Sequence, residues 1–188
     1  MARSFKVAVI VGSLRRDSIS QKYAAELARL APPSLSFTPV AIADLPFYNP
    51  DDDTANAPAP WQRLRAEIKA ADAVLFVSPE YNRSIPAPLK NALDIASRPY
   101  GQGAWNAKPG LVATISPGGM GGFGAGQHLR QILVCLNVPV MAQPEVYIGG
   151  ADKLLGPDGR INNDGTVKFL AGVMAQFAAF IAANAAAG

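Results

Sequence analysis

The chain alternates between two hydrophobic patterns. Short apolar runs rich in β-branched residues predict strands at residues 7–11, 35–40, 74–77, 111–115 and 146–148. Between them, apolar residues that recur every three or four positions predict helices at 18–30, 58–70, 86–97 and 127–137, and a last helix within 169–188. Strands and helices therefore follow each other strictly in turn, five of each.

This alternation predicts a parallel sheet with helices on both faces. Because strand–helix–strand crossovers are right-handed, the natural strand order is 2-1-3-4-5. The predicted fold class is α/β, a flavodoxin-like three-layer sandwich. The length of 188 residues predicts a single domain over 1–188, large enough for a substantial core.

The amino-acid composition limits the kinds of function to be expected. Apolar residues make up 49% of the chain and charged residues 16%, as in globular proteins. The net charge is +3, without a tract of Lys and Arg, so nucleic acid is not an expected partner. A mild positive charge would instead steer anionic small molecules.

Cysteine and histidine are scarce. Cys135 is the only cysteine and lies in an apolar helical run, so we expect it to be buried and without a disulfide. His128 is the only histidine, which excludes a multi-histidine metal site. The first strand starts close to Met1, with no apolar leader before it, so a cytoplasmic protein is expected.

The C-terminal segment 169–188 has no charged residue and could be taken for a membrane span. Its large apolar residues nevertheless share one helical face, and the other face carries Ala, Gln and Asn. We expect an amphipathic helix packed on the sheet and no membrane insertion. The apolar face consists of Leu170, Val173, Met174, Phe177, Phe180 and Ile181.

Three polar loops follow predicted strands. The first, residues 12–21 (GSLRRDSISQ), opens the first helix. A helix N-terminus offers free N–H groups to a phosphate, and here hydroxyls and an arginine fork add further donors. The loop has one glycine, so it is neither a Walker loop nor a Gly-x-Gly-x-x-Gly turn. A structural alternative stays open, in which Ser18 or Ser20 is an ordinary helix N-cap.

The second loop, residues 79–84 (PEYNRS), follows the third strand and precedes a helix that begins near Pro86. The carboxyl edge of a parallel sheet is where open α/β folds bind ligands. The third loop, residues 116–122 (SPGGMGG), follows the fourth strand. Residues 119–124 spell Gly-x-Gly-x-x-Gly, but a dinucleotide-binding fingerprint should follow the first strand instead. We favour glycines that let the backbone approach a flat ring.

The three loops, in this order and at this spacing, resemble those of the NAD(P)H-dependent FMN reductase family, most closely its bacterial quinone and chromate reductases. Residues Gly12, Ser13, Leu14, Arg15 and Ser18 match the family's first loop, where Ser20 stands in place of the usual Asn. The segments 128–133 and 143–145 also resemble this branch, in which they meet other subunits. The resemblance implies a homotetramer.

The resemblance also implies roles for particular residues. The FMN phosphate would be held by Ser13, Arg15, Ser18, Ser20 and Gln21. The flavin ring would be lined, largely through backbone, by Pro79, Glu80, Tyr81, Asn82 and Ser84. Its other edge would be closed by Ser116, Gly119 and Gly122.

Some roles remain open at this stage. Glu80 could be a general acid, although backbone contacts to the flavin are favoured. Tyr81 could stack on a ring or belong to the core. Trp105 could cover the active site or pack on a partner subunit, and His128 could meet another subunit or be an exposed helix residue.

The resemblance implies an FMN-dependent oxidoreductase that takes electrons from NADH or NADPH. Its acceptor would be a quinone, or an oxyanion such as chromate, reduced by a ping-pong mechanism with no catalytic side chain. Two alternatives are a free-flavin reductase that supplies a monooxygenase and an electron-carrier flavodoxin. The carrier is disfavoured, because such proteins are usually acidic and have a Thr-rich phosphate loop.

Overall fold

A computed structural model describes residues 4–186, so residues 1–3 and 187–188 of the predicted domain lie outside it. Five parallel strands form one sheet in the order β2-β1-β3-β4-β5, which confirms the predicted topology. The strands are β1 (Phe5–Val11), β2 (Leu35–Pro39), β3 (Ala73–Ser78), β4 (Gly110–Ile115) and β5 (Val146–Ile148).

Five α-helices connect and follow the strands, with one short 3₁₀ turn at Pro50–Asp52. Two boundaries differ clearly from prediction: the fourth helix begins four residues early, at Phe123, and the last helix begins at Asp164, five residues before the predicted segment. The first turn of the fourth helix contains glycine, which is a poor helix former, so the sequence pattern does not reveal it. The helices are α1 (Ile19–Leu30), α2 (Ala59–Ala70), α3 (Ala87–Ala96), α4 (Phe123–Cys135) and α5 (Asp164–Ala186).

The sheet separates two cores. Successive strand residues point to opposite faces, so Ala8 and Ile10 belong to one core and Val7 and Val9 to the other. Helices α2, α3 and α4 cover the first face, and α1 and α5 cover the second. Strands β3 and β4 are buried along their whole length, as expected for parallel strands with both faces covered.

Helix α5 meets the criteria of length and composition for a membrane span, but its apolar face packs inside the protein. Leu170, Val173, Met174, Phe177 and Ile181 are buried in the second core, as predicted, and Phe180 packs against it.

Two side chains lie in places that the sequence did not predict. The prediction of a buried Cys135 is wrong, because it is exposed at the end of α4, on the helix face that turns away from the core. Trp105 is buried under the sheet instead of covering a site. Its ring packs against Phe76, and its Nε1 donates to the Leu93 carbonyl at 2.9 Å.

Candidate functional site

The loops after β1, β3 and β4 meet at the carboxyl edge of the sheet. Because the strands are parallel and β1 lies beside β3, all three loops leave from the same edge at neighbouring positions. A cavity of about 130 Å³ lies between them. It is lined by Ser13, Arg15, Ile19, Ser20, Pro79, Glu80, Tyr81, Ile115, Ser116 and Pro117.

The first loop presents hydroxyl groups at the start of α1. Ser13, Ser18 and Ser20 are nearly completely buried, although they precede or begin an exposed helix turn. Ser18 is the N-cap of α1, and its Oγ accepts from the Gln21 N–H at 3.2 Å. Capping uses the oxygen as an acceptor, so the same hydroxyl can still donate to an anion. The N-cap and the phosphate interpretations of Ser18 are therefore compatible.

Charge in the first loop is predominantly positive. Arg15 and Arg16 are exposed, and the acidic residue of the loop, Asp17, is paired with Lys22 at 2.6 Å. The hydrogen bond and charge of Lys22, with a smaller contribution from Arg15, lower the pKa of Asp17. Pairing with Lys22 partly offsets the negative charge of Asp17 next to the N-terminus of α1, where we expect the phosphate.

The second loop is a tight turn. Tyr81 N–H donates to the Ser84 carbonyl at 2.9 Å, and Ser84 N–H donates back to Tyr81 at 3.0 Å. Asn82 and Arg83 between them have φ values of +51° and +66°, as in a type I′ turn. Tyr81 is 46% exposed, so it does not belong to the core and is available to a ligand at the cavity.

The third loop folds against the end of β5. Gly121 and Gly122 both have positive φ, and a Cβ on Gly122 would lie 2.9 Å from Cβ of Thr114. The fold thus requires glycine at 122 whatever ligand the loop binds. Gly119 differs, because it is exposed and a Cβ there would meet no atom within 4 Å.

Seven of the predicted site residues line the cavity, and six do not. Ser84 instead faces a groove of about 810 Å³ between α3 and α4, where its Oγ lies 3.0 Å from Nδ1 of the exposed His128. Gln21 lines a separate apolar groove of about 620 Å³ between α1 and β2. The remaining four outside the lining are Ser18, Asn82, Gly119 and Gly122.

Sequence reasoning missed Ile19, Ile115 and Pro117 in the cavity wall. Ile19 is an apolar residue inside the first loop and Ile115 is the last residue of β4, and nothing in their local pattern separates them from core residues. Pro117 could have been anticipated, since it lies inside the third loop.

The donor set fits a phosphate with an attached planar group. Three buried hydroxyls and an arginine converge at a helix N-terminus, and an exposed tyrosine with two short backbone turns stands on the other side of the cavity. Among the described residues there is no cluster of His, Cys, Asp or Glu that could hold a metal ion.

Comparison with known proteins agrees with this arrangement. The sequence model described as NADPH-dependent FMN reductase matches residues 5–153. A quinone reductase of Pseudomonas putida is 50% identical over 186 residues, which is 99% of this chain and 100% of that protein. A 2-hydroxy-1,4-benzoquinone reductase of a Burkholderia species is 43% identical over 178 residues, 95% of this chain and 97% of that one.

A solved structure is similar throughout. The flavoenzyme FerB of Paracoccus denitrificans, an NAD(P)H:(acceptor) oxidoreductase, superposes with a TM-score of 0.90 at 42% identity, covering 96% of this chain and 98% of its own. The predicted resemblance, the flavodoxin-like fold, and FMN with NAD(P)H as cofactor and donor are confirmed. The chain belongs to the NADPH-dependent FMN reductase family of oxidoreductases.

Proposed function

We propose that the protein is an FMN-dependent NAD(P)H:quinone oxidoreductase that works by a ping-pong mechanism. The observation that carries this proposal is the convergence of three loops on one cavity, which is lined by hydroxyls and an arginine of the first loop and by residues of the second and third loops. The similarity to quinone reductases of Pseudomonas putida and Burkholderia supports a quinone as the acceptor.

The chain's own residues would bind and orient the cofactor. Ser13, Ser18 and Ser20 would donate to the phosphate together with the Arg15 fork, and Gln21 would have to turn from its neighbouring groove to join them. The second loop would support one edge of the ring with its backbone, and the third loop would close the other edge through Ser116 and Gly119. When bound, FMN would supply the hydride-transfer chemistry between the nicotinamide and the acceptor.

The ping-pong order is supported by the convergence of the three loops on one cavity. We expect one place for a planar partner there, so donor and acceptor would occupy it in turn. Double-reciprocal plots at several quinone concentrations should then be parallel, and excess quinone should inhibit by occupying the donor's place. Intersecting lines would contradict the shared position.

The cofactor is expected to be one FMN per chain, since one phosphate-type loop is present. Cofactor released by heat should run as FMN on chromatography. Finding mainly FAD, or no flavin after reconstitution, would refute this. A free-flavin reductase is the second candidate: it would lose its flavin during gel filtration and show saturation of the rate with added FMN.

Chromate is proposed as a second acceptor. The net charge of +3 favours the approach of an anion, and such steering weakens as salt shortens the Debye length from about 10 Å at 0.1 M to about 3 Å at 1 M. The rate with chromate should therefore fall with added salt more than the rate with a neutral quinone. Equal salt dependence would remove the steering argument.

We further propose a cytoplasmic homotetramer built as a dimer of dimers. The groove between α3 and α4 and the exposed Val134 beside it support an interface on this side of the molecule. Light scattering should give about four times the chain mass of 19.7 kDa. A value near one chain mass at micromolar concentration would exclude the assembly.

A further inference from the structure

The turn that faces the cavity is held from behind, by helix α4. Residues 81–84 form a two-residue hairpin loop whose central residues are both left-handed, a conformation that costs non-glycine residues free energy. Asn tolerates this region better than most residues, but Arg83 occupies a position where such turns usually have Gly. A turn of this kind depends on contacts that keep it in place.

Glu80 provides one such contact. Its Oε2 accepts a hydrogen bond from the Ala125 N–H at 3.0 Å, across 45 positions of sequence. Ala125 is in the first turn of α4, whose N-cap is Gly122, a residue with no side chain to satisfy the free N–H groups there. Glu80 therefore does from the second loop what a local N-cap residue would do.

The second loop and helix α4 lie very close to each other. A Cβ on Gly124 would lie 2.8 Å from the Arg83 carbonyl oxygen and 3.0 Å from Glu80 Oε2, so only glycine allows the turn to lie against α4. The far end of the same turn is attached to the same helix by the contact between Ser84 Oγ and His128 Nδ1. The other oxygen of Glu80 accepts from the exposed Arg83 guanidinium at 3.4 Å.

We propose that Glu80 is a positioning residue for the flavin: its carboxyl group fixes the second loop to α4 and thereby sets where the loop's backbone meets the ring. Because α4 follows directly from the third loop, this one contact also couples the two loops that enclose the ring. The carboxyl is committed to a helix N-terminus, so it is not the general acid that its place in the loop suggested. The proposal rests on the proposed binding of FMN at these loops.

Four variants test it. Glu80→Ala removes the acceptor. Glu80→Gln keeps an acceptor oxygen at the same reach but cannot supply a proton as an acid. Gly124→Ala forces the turn away from α4 and leaves Glu80 intact. Arg83→Ala is the matched control, because it removes only an exposed ion pair, a type of contact that contributes little.

The first measurement is FMN affinity, by fluorescence titration of the apo-protein. Glu80→Ala and Gly124→Ala should each weaken binding by about tenfold, the scale of one charge-assisted hydrogen bond. Glu80→Gln and Arg83→Ala should stay within about threefold of the parent, since each retains the acceptor for Ala125. Loss of affinity in Glu80→Gln equal to that in Glu80→Ala would overturn the positioning role.

The second measurement is hydrogen exchange of residues 79–84 in the apo-protein, which needs no flavin. Exchange should rise in Glu80→Ala and Gly124→Ala only. Unchanged exchange in Glu80→Ala would overturn the proposal. If the parent protein itself binds no FMN, the proposed function fails, and the exchange result still decides whether Glu80 holds the turn. A thermal melt of each variant shows that it is folded; Gly124→Ala should lose some stability, because the clash with the Arg83 carbonyl outweighs the gain in helix propensity, whereas Glu80→Gln should melt like the parent.

Discussion

The first and second loops lie on either side of one cavity, yet they are stabilised in opposite ways. In the first loop, Ser18 caps α1 three residues away and Ser13 Oγ lies 3.4 Å from the Arg15 N–H, so its side-chain bonds are local. In the second loop, the backbone closes on itself and the side chains of Glu80 and Ser84 reach α4, more than 40 positions away. The side-chain donors of the first loop stay available to a ligand. The polar side chains of the second loop instead stabilise the conformation of the loop itself.

This difference predicts different consequences of mutation. A change in the first loop should lower cofactor affinity and leave folding nearly intact, because we propose that the donors there face the ligand; the exception is Ser18, which also caps α1. A change in the second loop should lower affinity and stability together, because the backbone conformation itself forms the contact. Each prediction below tests one side of this contrast.

The largest effect is expected for Arg15→Ala. It removes charged donors from the phosphate, which should weaken FMN binding by about 10- to 150-fold, on the basis of roughly 1.5–3 kcal/mol for a hydrogen bond to a charged group. Arg15→Lys should recover part of the loss, because it keeps the charge but lacks the planar fork. Fluorescence titration measures the affinity, and a thermal melt should show the apo-protein unchanged. Unaltered affinity would remove Arg15 from the site.

The next effect is expected for Asn82→Val in the second loop. A β-branched residue at φ +51° should cost about 1–2 kcal/mol of unfolding free energy and weaken FMN binding in the same variant. Asn82→Gly is the control, since glycine adopts this conformation freely. Urea unfolding measures the stability. If Asn82→Val lowers affinity without lowering stability, the contrast between the two loops is wrong.

Substitutions of Ser18 distinguish its role as an N-cap from its proposed role in phosphate binding. Ser18→Ala should cost about 1 kcal/mol in stability and also weaken FMN binding, because it loses both the cap and a donor. Ser18→Asp should keep the cap, since Asp is as good an N-cap as Ser, but repel the phosphate. Retained stability with lost affinity is the expected result for Ser18→Asp. Full FMN affinity in that variant would leave Ser18 with capping alone.

The contrast also explains what the sequence could predict. The strand order and the buried faces follow from periodicity, which is local information. The proposal of a phosphate loop also rests on local information, because its donors lie within ten residues of each other. The sequence offers Ser18 or Ser20 as the N-cap of α1, and the structure shows that it is Ser18.

The conformation of the second loop is harder to predict from the sequence, because the α4 residues that hold it are distant along the chain. No local pattern pairs Glu80 with Ala125, and the turn carries Asn-Arg where Asn-Gly is the usual hairpin signal. Cys135 was misjudged for a related reason. An apolar run such as 132–136 predicts a helix but does not say which face the sheet covers, and the face with Cys135 is left outside. Such facts depend on tertiary packing.

The smallest effect concerns the part of α1 that directly follows the first loop. Tyr23 is buried in α1, and its hydroxyl donates to the Ala151 carbonyl at 3.0 Å, which links α1 to the chain after β5. Burial, and to a lesser extent the charge of Asp152, raises the pKa of Tyr23 to about 12. Tyr23→Phe should cost about 0.5–1 kcal/mol at neutral pH, the net value of one neutral hydrogen bond.

The pH dependence of that difference gives the test. The folded pKa of Tyr23 lies above the ordinary value of 10.0, so its contribution is complete below pH 10 and is lost as the pH rises towards 12. The stability advantage of the parent over Tyr23→Phe, measured by urea unfolding, should shrink across that window and stay constant from pH 7 to 9. Affinity for FMN should change little in Tyr23→Phe, because the hydroxyl serves the fold and not the ligand. A loss of affinity without a loss of stability would mean that donors of the first loop depend on Tyr23 for their placement, and the first loop would then resemble the second.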